Sequence, residues 1–370
     1  MKFTCSKNNL SQAVSIALKA VSPKTPSPIL ECIMIEAMGN DIKLTSNDTE
    51  LGIETFIDGT VLTPGKIAVD AKFFSDIIRK LPESDVDIET DENNTIHIRC
   101  EKAQYDIPGK SGDDFVFLPQ IEPSNVIELS QYTLRETIRQ TIFSTSDNES
   151  NKLMSGELFE ITGNHLKVVS LDGHRISIRS VELKDSYNSI KVVVPGKTLN
   201  EISKIISGGI EDMMRVGFAN NHISFEFDRT KVISRLLDGE YYKVSQMISN
   251  DYSTKVTINR KDLYDCIDRA TLLIRESDKK PVVINISNSS FELKINSSFG
   301  KMDEDIDISK EGNDLLIGFN PKFLLDALRA IDDETIHIYL MGPTSPCVIK
   351  DDLGSFIYLI LPVNINAANR

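Results

Sequence analysis

LRETIRQTIFS (134–144), then MSGELFEI (154–161), a turn at Gly163-Asn164, LKVVSLD (166–172) and RISIRS (175–180) form a run that occurs three times along the chain. Its first segment carries apolar residues at i, i+3/i+4 and i+7, and the later ones alternate with period 2. The run therefore reads helix, strand, tight turn, strand. Upstream, LSQAVSIALKA (10–20), PILECIMIEA (28–37), Gly39-Asn40, IKLTSND (42–48) and LGIET (51–55) repeat the pattern. Downstream it returns as LYDCIDRATLL (263–273), PVVINIS (281–287), Asn288-Ser289 and FELKINS (291–297). The matching leucines Leu10, Leu134 and Leu263 are separated by 124 and 129 residues.

Each copy has a second half. IAVDAKFFSDIIRKLP (67–82), VVVPGKTLNEISKIIS (192–207) and LLIGFNPKFLLDALRAI (315–331) each run a strand into a cap and a helix. The caps fall at Asp70, Pro195-Gly196 and Asn320-Pro321. Hairpin patterns follow at 86–100, 214–227 and 335–350. Such periodicity predicts an α+β protein of three structurally similar domains, 1–124, 125–250 and 251–370, each with two helices packed on antiparallel sheets. The connectors PQIEPSN (119–125) and QMISNDYST (246–254) lack a Gly/Ser tract, which favours fixed over beaded domains.

The 370 residues include 41 Lys+Arg against 55 Asp+Glu, a net charge of −14, and 40% are hydrophobic. This composition fits a globular protein, with no apolar run long enough to span a bilayer. The polar N-terminus MKFTCSKNNL argues against a secretory signal, and the five dispersed cysteines read as reduced thiols, so a cytoplasmic location is expected. A pI near 4.9 disfavours an ordinary nucleic-acid binder until the charges are located. The six expected helices (8–20, 70–81, 131–145, 196–207, 259–275 and 319–331) hold 14 basic and 8 acidic residues. Their net is +6, which leaves −20 for the remainder. A repeated basic face within an acidic body can line a channel that meets phosphates without reading bases.

Catalytic signatures fail. GKS at 109–111 and GKT at 196–198 lack the earlier glycine of a phosphate-binding loop, having Gln104 and Lys191 there. His97, His165, His174, His222 and His337 are scattered, and no metal-ligand spacing occurs. Asp172-Gly173-His174-Arg175 is the most reactive-looking tetrapeptide, an acid/base pair without a nucleophile. Neither a cofactor nor a metal is expected.

Several segments, in collinear order, resemble the bacterial DNA polymerase III beta subunit family, the beta sliding clamps. They are SPIL (27–30), SNDTELGIE (46–54), DAKFFSDIIRKLP (70–82), LFEITGNHLKVVSLDGHRISI (158–178), VVVPGKTLNEI (192–202), SRLLDGEYY (234–242), IGFNPKFLLDAL (317–328) and YLILPV (358–363). The resemblance implies the DNA clamp fold and a head-to-tail homodimer closing a ring around duplex DNA without enzymatic activity. It also implies an ATP-driven clamp loader and a groove that tethers the polymerase III catalytic subunit and repair proteins through short linear peptides.

By resemblance the groove residues are Met154, Leu171, Gly173, His174, Arg175, Ile176, Tyr242, Met247, Leu359, Leu361, Pro362 and Val363. Met and Leu suit varied peptides, and Leu359 also reads as core. DNA-facing candidates are Lys24, Lys72, Arg79, Lys80, Arg135, Arg139, Lys197, Lys204, Arg269 and Lys322. The dimer interface would use Tyr105 and Ile107 on one side and Leu272, Leu273 and Ile274 on the other. Two departures bear on peptide preference: Tyr241-Tyr242-Lys243-Val244 replaces the family's Phe-Pro-Asp-Tyr, and Asn364 replaces an Arg, with the chain running on to Arg370. The competing readings are a monomeric adaptor and an enzyme using Asp172 and His174.

Overall fold

The computed structural model describes residues 1–22, 25, 27–116, 118–119, 121–148, 150–249, 251–275 and 280–365. Its contacts divide the chain into two compact units, Met1–Leu134 with Glu201–Leu236, and Arg135–Asn200 with Leu237–Arg370. Among the described residues there are six α-helices: α1 (Lys7–Ala17), α2 (Ala71–Lys80), α3 (Gln131–Thr141), α4 (Gly196–Ile205), α5 (Arg260–Thr271) and α6 (Pro321–Ala330). All six lie where the apolar periodicity places them, with ends tightened into 3-10 turns at Leu18–Ala20 and Ile142–Ser144. No helix among the described residues is long and apolar enough to cross a membrane.

Caps start the helices. Asp70 Oδ1 accepts the Phe73 N–H at 2.7 Å, and Asn320 Oδ1 accepts the Lys322 N–H at 3.0 Å with Pro321 in the first turn. Asn259 Oδ1 takes two N–H groups, from Lys261 and Asp262. Helix α2 shows how one segment makes two faces. Ala71, Phe74, Ile77 and Ile78 are buried at helical spacing, while Lys72, Asp76, Arg79 and Lys80 stay exposed. Each large side chain buried this way contributes about 1.5–3 kcal/mol.

The turn of the repeat is conformationally the same in all three copies. Gly39 (φ +62°), Gly163 (φ +61°) and Asn288 (φ +48°) all take the left-handed backbone that Gly and Asn tolerate best. In the middle copy the strand assignment runs through this point as Gly156–Leu171, with its register shifting on either side of Gly163. Strand 28–37 starts late, because Pro28–Glu31 forms a 3-10 turn and the ladder begins at Cys32.

In the first unit a thirteen-stranded sheet holds both hairpins of the first copy and the second hairpin of the middle copy. The junction is Leu51–Asp58 paired antiparallel with Thr230–Arg235, with Ile53 opposite Val232. In the second unit a seven-stranded sheet runs Gly156–Leu171, Arg175–Pro195, Phe356–Ile360, Cys347–Lys350, Thr335–Leu340, Thr254–Asn259 and Ser309–Gly312. A four-stranded sheet completes this unit, and α5 and α6 bury Leu263, Ile267, Leu324 and Leu328 in its main core. Edge-to-edge pairing, rather than the repeat, thus decides which segments are compact together.

All five cysteines are buried and unpaired, and burial pushes the Cys347 thiol up to about 12. The middle copy buries more polar groups near α3. Thr141 Oγ1 donates to the Thr137 carbonyl at 2.7 Å, and Ser170 Oγ donates to the Thr141 carbonyl at 2.6 Å. Among the described residues, neither carboxylate oxygen of fully buried Glu157 meets a partner at hydrogen-bond geometry; burial raises its pKa to about 8, against the smaller lowering effect of the nearby Thr141 hydroxyl.

Candidate partner groove and basic helix faces

The candidate groove residues lie on and around the seven-stranded sheet of the second unit. Leu171 stands directly opposite Ile176, and Ile176 opposite Leu359, so antiparallel register puts all three on one face. They belong to one apolar cluster with Leu158, Val169, Tyr241 and Val244, against which Met154 and Tyr242 pack half-buried. Leu171, Ile176 and Leu359 are floor, as their 3%, 6% and 4% exposures show. Met247 at 49% and Leu361 at 38% offer the accessible apolar surface.

The Asp172–Arg175 turn fixes one wall. Asp172 Oδ1 accepts the backbone N–H groups of His174 (2.9 Å) and Arg175 (3.1 Å), and Gly173 takes φ +91°. Asp172 Oδ2 accepts from Arg175 Nε at 2.9 Å. That carboxylate is fully engaged in shaping the turn and does not pair with the His174 ring. The acid/base reading of Asp172 and His174 is therefore corrected. His174 instead stacks on Phe323, with centroids 6.0 Å apart.

Arg175 also departs from expectation. Only 7% exposed, it reaches Asp326 Oδ2 at 2.7 Å and the Phe143 carbonyl, and its guanidinium lies 4.5 Å from the Phe323 ring centroid. It is a strut beneath the wall, because a planar fork with five donors can satisfy acceptors on three elements at once. The next wall is pinned by backbone: Leu361 N–H donates to the His174 carbonyl (2.9 Å), and Val363 N–H to Gly318 (2.8 Å). Gly318 has no room for a Cβ, which would lie 2.4 Å from Ile365 Cγ2. Pro362 and Val363 are half-buried beside this segment.

Tyr241 and Val244, noted as departures from the family, are buried in this apolar cluster; Leu153, Leu237 and Ile248 join it and were not anticipated. Nor were Phe143, Phe323 and Asp326, which hold Arg175. An apolar Phe323 next to Lys322, on the polar side of α6, was the available signal.

The basic candidates divide by environment. Lys72, Arg79, Lys80, Lys197, Lys204, Arg269 and Lys322 are exposed on their helices. Several have acidic neighbours: Arg79 with Asp76 at 2.8 Å, Lys204 with Glu201 at 2.7 Å, and Arg269 with Glu304. Such exposed pairs are screened by solvent and exchange readily with other anions. Arg139 is different, since it bridges Glu136 and Asp332, both at 2.7 Å, and the Arg329 carbonyl at 3.1 Å. Arg135 is half-buried, and Lys24 lies outside the described residues.

Of the interface candidates, Leu272 is 83% exposed just past α5 and Tyr105 39% exposed, while Leu273 and Ile274 pack partly on the core. Ile107 is corrected to a core residue at 4% exposure, because it sits opposite Ile96 on the helix-covered face of its sheet. GKS at 109–111 lies inside the strand Ala103–Ser111, and GKT opens α4, so neither is a phosphate loop.

Family models match the chain in three consecutive blocks. The N-terminal domain of the DNA polymerase III beta subunit matches residues 1–119, the central domain 128–243 and the C-terminal domain 245–364. A beta sliding clamp of Staphylococcus epidermidis is 34% identical over 374 residues, covering 98% of this chain and 99% of that protein. A crystal structure from Eubacterium rectale, assigned as a DNA polymerase III beta subunit, is 60% identical, with a TM-score of 0.95 and coverage of 99% and 100%. The DNA polymerase sliding clamp of Bacillus subtilis is 34% identical, with a TM-score of 0.95 and coverage of 98% and 99%. With three consecutive domain matches and near-complete coverage of its relatives, the chain belongs to the DNA polymerase III beta subunit family, the beta sliding clamps.

Proposed function

We propose that the protein is a non-enzymatic processivity factor that encircles duplex DNA as a head-to-tail homodimer. In this reading it tethers the polymerase III catalytic subunit and repair proteins through the Leu171–Ile176–Leu359 groove. The observation that carries it is the threefold repeat matched block by block by the three beta-subunit domains. We assign the functional domains to 1–124, 125–250 and 251–370. DNA contact falls to the exposed Lys72, Arg79, Lys80, Lys197, Lys204, Arg269 and Lys322, with Lys24, Arg135 and Arg139 as further candidates. Charges scattered over helices suit a sequence-independent hold on phosphates. The subunit interface uses Tyr105 against Leu272, Leu273 and Ile274. An ATP-driven loader opens the ring, and the protein works in the cytoplasm.

The test is retention after loading on nicked circular and on linear DNA. A topological link survives high salt on circles and is lost from free ends. Equal, salt-sensitive loss from both would overturn the reading.

A further inference from the structure

The floor of the groove does not stop at Leu359. Across the seven-stranded sheet, Leu359 faces Val348, Val348 faces Tyr339, and Tyr339 faces Lys255. Directly opposed residues share a face, so Leu171, Ile176, Leu359, Val348, Tyr339 and Lys255 form one row. At about 4.8 Å per strand, Lys255 lies roughly 14 Å beyond Leu359, the reach of about four extended residues. Midway, Val244 and Ile248 belong to the same apolar cluster as Val348 and Tyr339, and Val348 is only 8% exposed. Met247, on the segment between Val244 and Ile248, is exposed.

Past it the surface changes character. Tyr252 meets Tyr339 edge-on with centroids 5.2 Å apart, and Tyr252 and Met341 are each 46% exposed. Lys350 Nζ lies 4.9 Å and Lys255 Nζ 5.7 Å from the Tyr339 ring centroid, so two ammonium groups flank one aromatic bed. Around them, Glu311 is paired opposite Lys255, Asp352 Oδ1 is 4.0 Å from His337 Nε2, and His337 Nδ1 is 3.0 Å from Thr257 Oγ1. Carboxylates and ammonium groups therefore share the neighbourhood of the Tyr339 ring.

We infer that this Tyr252–Tyr339 platform with Lys255 and Lys350 is an outlying subsite of the groove, taking an acidic stretch that flanks the apolar anchors of a partner's linear segment. The inference rests on the groove reading above. A partner leaving the groove over Met247 would lay its apolar stems on the two tyrosines and its carboxylates against the lysines. Specificity would then come from a flank added to a common anchor.

The test uses the full-length protein and two labelled peptides: a Gln/Leu/Phe-rich anchor alone, and the same anchor with a flank of four acidic and aromatic residues. At low salt the flank should tighten binding to the wild type by about three- to tenfold, the scale of two partly exposed ion pairs. The K255Q/K350Q variant should lose that gain, together with its salt dependence, while binding the bare anchor unchanged. If the anchor binds but the flank adds nothing, or its gain survives in the variant, the platform is refuted and the groove stands. If neither peptide binds, the groove reading fails and the platform with it. A duplex oligonucleotide that abolishes the flank's gain in the wild type, and binds the variant less well, would reassign the lysines to phosphate and also refute it.

Discussion

Arg175 and Arg79 are both paired with a nearby Asp, and they do opposite things. Arg175 is buried, with acceptors on the Asp172 turn, on α6 and at the Phe143 carbonyl, and with an aromatic ring 4.5 Å away. Arg79 is an exposed residue of the last turn of α2 whose partner, Asp76, lies one turn back on the same helix. The first arrangement is preorganised: every charge is desolvated and matched, so the groove wall has one geometry. The second is loose and solvated, which suits the proposed sequence-independent hold on phosphates.

The contrast breaks most readily at Arg175. Replacing Arg175 by Ala leaves the partly buried Asp172 carboxylate without its cation and Asp326 with only Arg329, 3.7 Å away, and should cost about 3–5 kcal/mol. A urea midpoint reads this directly, and Arg175→Lys should not restore it, because a point charge cannot span three acceptors. A loss within the range of an exposed pair would mean the strut is not what holds the wall.

Glu157 supplies the opposite case, a fully buried carboxyl with no cationic partner among the described residues. Its pKa of about 8 in the fold stands against 4.5 for an ordinary Glu. The folded state therefore holds an extra proton between these values, and stability falls as pH rises from about 4.5 through 8. Glu157→Gln should be close to neutral at pH 4.5 and stabilising by a few kcal/mol, at most, above pH 8. Denaturant unfolding at both pH values decides it. A stabilisation independent of pH would show that Glu157 is charged or solvated throughout.

Smaller effects sharpen the comparison from the groove side. His174→Ala and Met247→Ala remove accessible contact without touching the floor, so each should weaken anchor-peptide binding by about 1–2 kcal/mol while the unfolding midpoint stays put. The smallest effect belongs to Arg79→Ala. Stability should change by less than about 0.5 kcal/mol, and the slope of log affinity for duplex DNA against log salt should flatten by about one.

Much of this was legible early because it is local. Asp70 and Asn320 cap helices through their own side chains, and Gly39, Gly163 and Asn288 mark the same left-handed turn. The proposed groove residues came from resemblance alone, and their division into buried and exposed positions came only from the fold. Arg175 looked like a contact residue until Asp326, 151 positions away, proved to be its partner. Ile107 looked like surface until Ile96 and the core took it.

The order of residues alone therefore determined the repeat, the six helices, their caps and the placement of basic side chains on them, since these follow from periodicity and from contacts a few positions apart. Only the tertiary structure decided which edges join, as when Leu51–Asp58 meets Thr230–Arg235 and Arg175–Pro195 meets Phe356–Ile360. A strand edge offers the same N–H and C=O groups to any partner. Which one takes them is settled by packing of distant segments, and with it whether an arginine is buried as a strut or left free to meet a phosphate.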